Sequence, residues 1–299
     1  MQYVWFDGKF VEFSKAKVHI LTHSLQYGSG LFEGIRGYEA GGKTAIFRLS
    51  DHLERFVNSI KIYKMPVNYG KEEFENAILE LVKKNKLKDC YIRPFAFYND
   101  INIGLSVKGK KASAAIAAVP FKKYFEGKNE GIKCKVSSWH RINSLILPPE
   151  AKASGNYVNS IIASIEAQDA GSDEAIMLSI DGYVAEGPGE NIFLVEDGRL
   201  VTPSKSADIL MGITRDSIIQ IAGSMGIEVE KREVHREELY YCDEVFFCGT
   251  AAEITPIIEI DGRKVGKGKV GNLTRILQEK YENIVRGRDK EFEHWLTYV

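Results

Sequence analysis

The chain has 299 residues, 44% hydrophobic and 27% charged, the make-up of an ordinary globular protein long enough to form two domains. Forty basic residues against 41 acidic ones give a net charge of −1, so no long-range field recruits nucleic acid or an anionic membrane. There is no apolar run of bilayer length and no signal-peptide pattern, and Cys90, Cys134, Cys242 and Cys248 lack the CxxC spacing of a metal site or disulfide framework, so a cytoplasmic protein is expected.

Two strand-like runs, residues 3–6 and 10–13, flank Asp7-Gly8, a hairpin signal. His19 and His23 have the spacing of two ligands one helical turn apart. No glutamate or third ligand stands where zinc needs one, so no metal is expected. The glycine-rich stretch from Tyr27 to Tyr38 is not a nucleotide loop, because Gly34 comes one residue late for G-x-G-x-x-G and no Walker lysine follows. Glycines interleaved with Tyr27, Phe32 and Tyr38 suit a close-packed wall beside a ligand. Ser50 or Asp51 can cap a helix carrying Leu53, Phe56, Val57 and Ile60 on one face, ended by Pro66. A second amphipathic helix over about 71–86 turns Phe74, Ile78, Leu81 and Val82 inward. The strand 91–98 puts Tyr91 and Arg93 on one face, where the arginine is either a carboxylate trap or half of a structural ion pair. Residues 112–120 read as a buried strand. Charges and glycines then mark 121–131 as an interdomain loop between a small domain over 1–120 and a larger one over 132–299.

The second half begins with a strand over 132–139, followed by the segment Glu150-Ala151-Lys152-Ala153-Ser154-Gly155-Asn156-Tyr157 and a helix over about 157–170. Hairpins are expected at Asp181-Gly182 and Asp197-Gly198, with Glu186-Gly187-Pro188-Gly189-Glu190-Asn191 between them. Leu210-Met211-Gly212-Ile213-Thr214 opens a helix, and residues 245–253 form a strand running into a small-residue turn at Gly249-Thr250-Ala251.

Lys152 among small residues is the least ordinary feature. Where small side chains crowd an ammonium group, its charge is disfavoured and the amine becomes a usable nucleophile towards a carbonyl. The remaining pieces fit an aldehyde cofactor carrying a phosphate. The helix start at Ile213-Thr214 aims unpaired N–H groups at an anion, Gly249-Thr250 adds amides and a hydroxyl, and Arg48 can add full positive charge. Glu186, in a tight Gly-Pro-Gly turn, can pair with a protonated ring nitrogen. Together these are the components of a pyridoxal phosphate site.

The chain resembles a fold-type-IV pyridoxal phosphate enzyme, and within that group a branched-chain amino acid aminotransferase. The motifs are Gln26-Tyr27-Gly28 with Phe32-Glu33-Gly34-Ile35-Arg36, Tyr91-Ile92-Arg93-Pro94, Lys152 with Gly155-Asn156-Tyr157, the turn from Glu186 to Asn191, Gly212-Ile213-Thr214-Arg215, and Cys248 to Glu253. The resemblance implies an α+β fold with a smaller N-terminal α/β domain and a larger C-terminal domain built on a barrel-like sheet. It implies that Lys152 is the Schiff-base lysine and proton shuttle, that Glu186 binds the pyridine nitrogen and Tyr157 the phenolic oxygen, and that Leu210 packs on the ring. Arg48, Gly212, Ile213, Thr214, Gly249 and Thr250 fall to the phosphate side of the cofactor. Tyr27, Phe32, Tyr91, Arg93, Phe121, Tyr124, Thr250 and Ala251 fall to the substrate, with Arg93 helping to accept the second carboxylate of glutamate. Such enzymes often carry tryptophan after the proline of the interdomain loop; here Phe121 stands there with Tyr124 following. The implied activity is ping-pong transamination between leucine, isoleucine or valine and 2-oxoglutarate, in a homodimer or an assembly of dimers whose sites borrow Tyr27 and the loop around Ile103–Leu105 from the neighbour. D-amino-acid aminotransferases, (R)-amine transaminases and 4-amino-4-deoxychorismate lyases share the fold; Tyr91-Ile92-Arg93 favours the branched-chain enzyme.

Overall fold

The computed structural model describes residues 2–122 and 130–299. Tyr124 and most of the 121–131 loop lie outside the described residues. The chain divides into two compact units, the first made of Met1–Lys122, Ala151–Gly155 and Asn283–Val299, the second of Lys123–Glu150 and Asn156–Glu282. Two segments that a continuous 132–299 domain would contain therefore belong to the first unit, for reasons that lie in their backbone pairing.

The first unit is built on an antiparallel sheet whose strands run in the order Leu296–Tyr298, Lys43–Phe47, Ile35–Ala40, Cys90–Tyr98, Ala112–Pro120, Tyr3–Phe6, Lys9–Glu12, with Gly30–Phe32 also pairing Cys90–Tyr98. The first hairpin turns at Asp7-Gly8, both in the left-handed region (φ 43° and 80°), as a two-residue turn matched to strand twist requires. Cys90–Tyr98 and Ala112–Pro120 pair along their whole length, from Cys90 opposite Pro120 to Tyr98 opposite Ala112. The two-residue period of a strand then sorts their side chains. Ile92, Ala96, Ala114, Ile116 and Ala118 join a core completed by Leu53 and Phe56 of the helix Leu49–Ile62 and by Phe74, Ile78 and Leu81 of the helix Lys71–Lys84. Tyr91, Arg93 and Phe95 are on the alternate positions and leave that core.

The expected helix cap is corrected. Neither Ser50 nor Asp51 caps Leu49–Ile62; the residue at its N-cap is Arg48, in the left-handed region at φ 48° and without a side-chain cap bond. A single residue separates the strand Lys43–Phe47 from the helix, so the reversal has to be made at that position. Arg48 is held there by its N–H, which donates to Trp295 O at 2.7 Å, and by its Nε, which donates to Asp51 Oδ2 at 2.9 Å. The C-terminal strand Leu296–Tyr298 pairs with Lys43–Phe47, which draws Asn283–Val299 into this unit. Ala151–Gly155 joins it through the bridge Leu31–Ala153.

The second unit is a mixed sheet ordered Val184–Glu186, Glu174–Leu178, Ile132–Val136, Glu253–Ile260, Glu244–Gly249, Asn191–Glu196, Arg199–Pro203, Val229–Arg232. Val184 at one end of this order donates its N–H to Val234 O, two residues past the last strand, at 2.8 Å. That bond joins the two ends of the sheet and makes it barrel-like. Ile176, Ile192, Leu194, Val201, Val245, Phe247 and Ile257 fill its interior. The helices Tyr157–Asp169 and Ile213–Ser224 pack on the outside, against Glu174–Leu178 and Glu244–Gly249 respectively. The hairpin at Asp197-Gly198 again places both residues at positive φ, 49° and 77°. Helix and sheet are mixed in both units, as an α+β protein requires.

Candidate active site

In the first unit the residues singled out in the sequence gather along Gly30–Phe32 and the face of Cys90–Tyr98 that turns away from the core. Lys152 is attached by its own backbone: Phe32 donates its N–H to Lys152 O at 3.0 Å, and Lys152 donates its N–H to Ser59 Oγ at 3.3 Å. Its Nζ lies 5.1 Å from the centre of the Phe32 ring, within cation–π range. Gly155 N–H donates to Gly28 O at 3.1 Å, and a Cβ on Gly28 would meet Gly155 Cα at 3.0 Å, so glycine is needed where these segments cross.

Next to Phe32 is a fully buried carboxylate. Glu33 is 0% exposed and accepts two hydrogen bonds from Arg55, Nε to Oε2 at 2.8 Å and Nη2 to Oε1 at 2.6 Å, plus the Gly34 N–H at 2.9 Å. His52 Nδ1 lies 3.4 Å from Oε1. Burial alone would push the Glu33 carboxyl up, but the charge and paired hydrogen bonds of Arg55 outweigh it and hold the group well below the usual carboxylate range. Burial depresses His52, against the pull of Glu33, and favours its neutral form.

Tyr91, Arg93 and Phe32 meet on the sheet. Arg93 Nη2 donates to the Tyr91 hydroxyl at 3.2 Å, and its guanidinium carbon lies 4.5 Å from the Phe32 ring centre. Arg93 is exposed and has no carboxylate partner among the described residues. Gly34 makes room for this group, since a Cβ there would lie 2.0 Å from the Tyr91 hydroxyl oxygen. Phe121 packs on Tyr91 with ring centres 5.3 Å apart. Tyr27 is 38% exposed and its hydroxyl accepts the Gly104 N–H at 3.2 Å. Arg48 also lies in this unit, its guanidinium carbon 5.1 Å from the Trp295 ring centre. His23 is buried, and its Nδ1 lies 2.7 Å from Ser29 Oγ in a hydrogen bond.

In the second unit Glu186 is the centre. It is buried at 4% exposure and accepts from Arg141 Nε at 2.6 Å, Asn191 Nδ2 at 2.9 Å and the Leu210 N–H at 3.2 Å. An ionised carboxylate only accepts hydrogen bonds, and all three neighbours are donors. Asn191 also donates to Leu210 O at 2.9 Å, and a Cβ on Gly212 would lie 1.9 Å from Asn191 Oδ1. Leu210, Gly212 and the helix start are thereby set from the same turn as Glu186. Ile213–Ser224 starts from Gly212 in extended geometry with no side-chain cap, so its first N–H groups keep the anion-binding capacity of a helix N-terminus; Thr214 there is buried. Gly249 ends its strand against the Glu186–Asn191 turn, its Cβ position 3.4 Å from Gly189 O, and Thr250 and Ala251 form the half-buried turn that follows. Tyr157 opens its helix, half-buried. Glu150 pairs with Lys205 at 2.5 Å. Sequence reasoning missed Arg141, 45 residues from Glu186, and Ser59, 93 residues from Lys152; neither stands in a motif or a periodic pattern that could have flagged it.

The amino-transferase class IV family model matches residues 30–260. The branched-chain-amino-acid aminotransferase of Pseudomonas aeruginosa is 43% identical over 298 residues, spanning 99% of this chain and 97% of that protein. Among solved structures, the branched-chain aminotransferase of Thermoproteus uzoniensis with norvaline matches with a TM-score of 0.95 at 48% identity, covering 99% of each chain. The branched-chain amino acid aminotransferase of Thermobaculum terrenum in its PLP form matches at 0.94 and 39% identity, covering 99% of this chain and 98% of that one.

The Glu33 cluster makes stability depend on pH. A depressed folded-state pKa stabilises the fold above the unfolded carboxylate value, about 4.3, and this contribution fades as pH falls below it. Glu33→Gln should therefore cost most near pH 7, on the order of 3–5 kcal/mol for breaking a buried ion pair, and progressively less below about pH 4. Urea unfolding of both proteins across that range measures it; a difference that does not vary with pH contradicts the assignment.

Proposed function

The chain belongs to the class IV aminotransferases, among the branched-chain amino acid aminotransferases, and we propose that it moves amino groups from L-leucine, L-isoleucine and L-valine to 2-oxoglutarate with pyridoxal phosphate, in ping-pong fashion. The residues fit that cofactor. An uncapped helix start supplies N–H donors and partial positive charge for a phosphate, and a buried carboxylate oriented by three donors suits a protonated ring nitrogen. When bound, the cofactor carries the amino group between substrates and its ring takes up the electron pair left when the Cα proton departs.

In this reading Lys152 would hold the cofactor through its amine and would serve as the base that takes and returns the substrate Cα proton. Glu186 accepts the pyridinium N–H, with Arg141 and Asn191 keeping its carboxylate in place. Tyr157 donates to the phenolic oxygen and Leu210 packs on the ring. Arg48, the Ile213 and Thr214 amides and the Thr250 hydroxyl take the phosphate, and Gly212 and Gly249 let backbone come close to it. Phe32, Tyr91, Phe121, Thr250 and Ala251 shape the substrate side, with Tyr27 supplied to a neighbouring copy.

The observation that carries this reading is the Arg93–Tyr91 pair beside Phe32. An aromatic surface suits a branched aliphatic side chain, and an exposed guanidinium at its edge suits the second carboxylate of glutamate, so one wall serves both substrates.

The same unit presents apolar surface that a second copy of the chain would cover. A cavity of about 420 Å³ is lined by Phe6, Phe13, Leu25, Phe95 and Phe97 among others, and Ile103 and Leu105 are 81% and 76% exposed. We read this as the homodimer surface. Among the described residues no helix is long and apolar enough to cross a membrane, and a cytoplasmic location completes the reading, to be checked by cell fractionation.

Two measurements test it. Arg93→Met should raise KM for 2-oxoglutarate at least tenfold, about 1.4 kcal/mol, while KM for L-leucine changes less than threefold; equal effects on both contradict the proposed role, and turnover of D-alanine or an (R)-arylamine in place of L-leucine overturns the substrate assignment. By sedimentation at micromolar concentration, the 33.6 kDa chain should run as a dimer or a multiple of it. Leu105→Asp should shift it towards monomer; a monomeric parent protein would refute the surface.

A further inference from the structure

Ser59 is an odd residue for its place. It is buried (1% exposed) inside the helix Leu49–Ile62, where alanine would favour the helix more and leave no hydroxyl to satisfy. The hydroxyl is used twice. Ser59 Oγ donates to Arg55 O at 3.0 Å, one turn back, and accepts the Lys152 N–H at 3.3 Å. The carbonyl of Lys152 is held from the other side by the Phe32 N–H at 3.0 Å. The peptide units before and after the Lys152 Cα are thus each bonded to a different element.

Both anchors are themselves fixed. Phe32 precedes Glu33, whose carboxylate is gripped by Arg55, and Arg55 lies one helical turn before Ser59. Strand, helix and lysine segment close into one loop of hydrogen bonds, with the Lys152 side chain projecting from it. We propose that Ser59 is a positioning residue for Lys152: by fixing the root of that side chain, it keeps the amine on the path between the atoms it must serve. This rests on the role proposed above for Lys152. A shift of about 1 Å in a reacting group can cost a hundredfold in rate, so a loosened root should appear in turnover before it appears in binding.

The test uses the full-length protein with Ser59→Ala and Ser59→Thr, because threonine keeps the oxygen and its back-bond to the helix. Amide hydrogen exchange reports on the clip without depending on activity. In Ser59→Ala the Lys152 amide should exchange at least tenfold faster than in the parent, and kcat for L-leucine should fall about tenfold with KM within twofold. Ser59→Thr should restore both to within about threefold. Parent-like exchange or parent-like kcat in Ser59→Ala overturns the proposal, as does a threonine variant impaired as deeply as the alanine one. If the parent protein itself fails to transaminate L-leucine, the functional reading fails instead, while the exchange data still decide whether the clip exists.

Discussion

The peptide of Lys152 is paired to the sheet of the first unit, although the residues on either side, up to Glu150 and from Asn156, belong to the second. Phe32 holds its carbonyl and Ser59 its N–H, and the bridge from Leu31 to Ala153 continues the pairing. The small residues around the lysine follow from this. Where the segment crosses Gly28 at Gly155, the backbones come so close that a Cβ on Gly28 would meet Gly155 Cα at 3.0 Å. A lysine on a free loop would have many positions for its amine; one paired on both sides has far fewer, which is what repeated proton transfer at fixed atoms needs.

Two buried carboxylates, one in each unit, are each met by an arginine. Glu33 is matched by Arg55 and Glu186 by Arg141, in each case with further hydrogen bonds from backbone or amide donors. Burying a carboxylate is costly unless charge and donors surround it, as they do at both residues. Arg93 is the contrast. It is exposed, stacked on aromatic rings, and without a carboxylate among the described residues, which leaves its fork of donors available to an acidic ligand.

Much of this was legible in the sequence, for local reasons. Asp-Gly turns, alternation along residues 91–98, the run of small and apolar residues over 112–120, and the apolar stripes at residues 53–60 and 74–82 each encode an element through contacts a few residues apart. The glycine-rich run was readable as a close-packed wall because Gly34 and Gly28 have no room for a side chain. What could not be read depends on distant partners. Nothing near residue 151 announces pairing to residue 31, nothing near 141 announces a carboxylate 45 residues on, and Ser59 looks like any helical serine. The cap at Ser50 or Asp51 failed because a one-residue connection from strand to helix overrode the usual capping preference and put Arg48 in the left-handed region.

The proposed chemistry depends on the amine of Lys152 being the group that holds the cofactor. Treating the pyridoxal phosphate-loaded protein with borohydride fixes the attached cofactor in place, and peptide mapping by mass spectrometry then locates it. The expected result is one pyridoxyl group per chain, on Lys152 within the peptide that also contains Gly155 and Tyr157. A label on any other lysine, or a protein that takes up no cofactor, would contradict it.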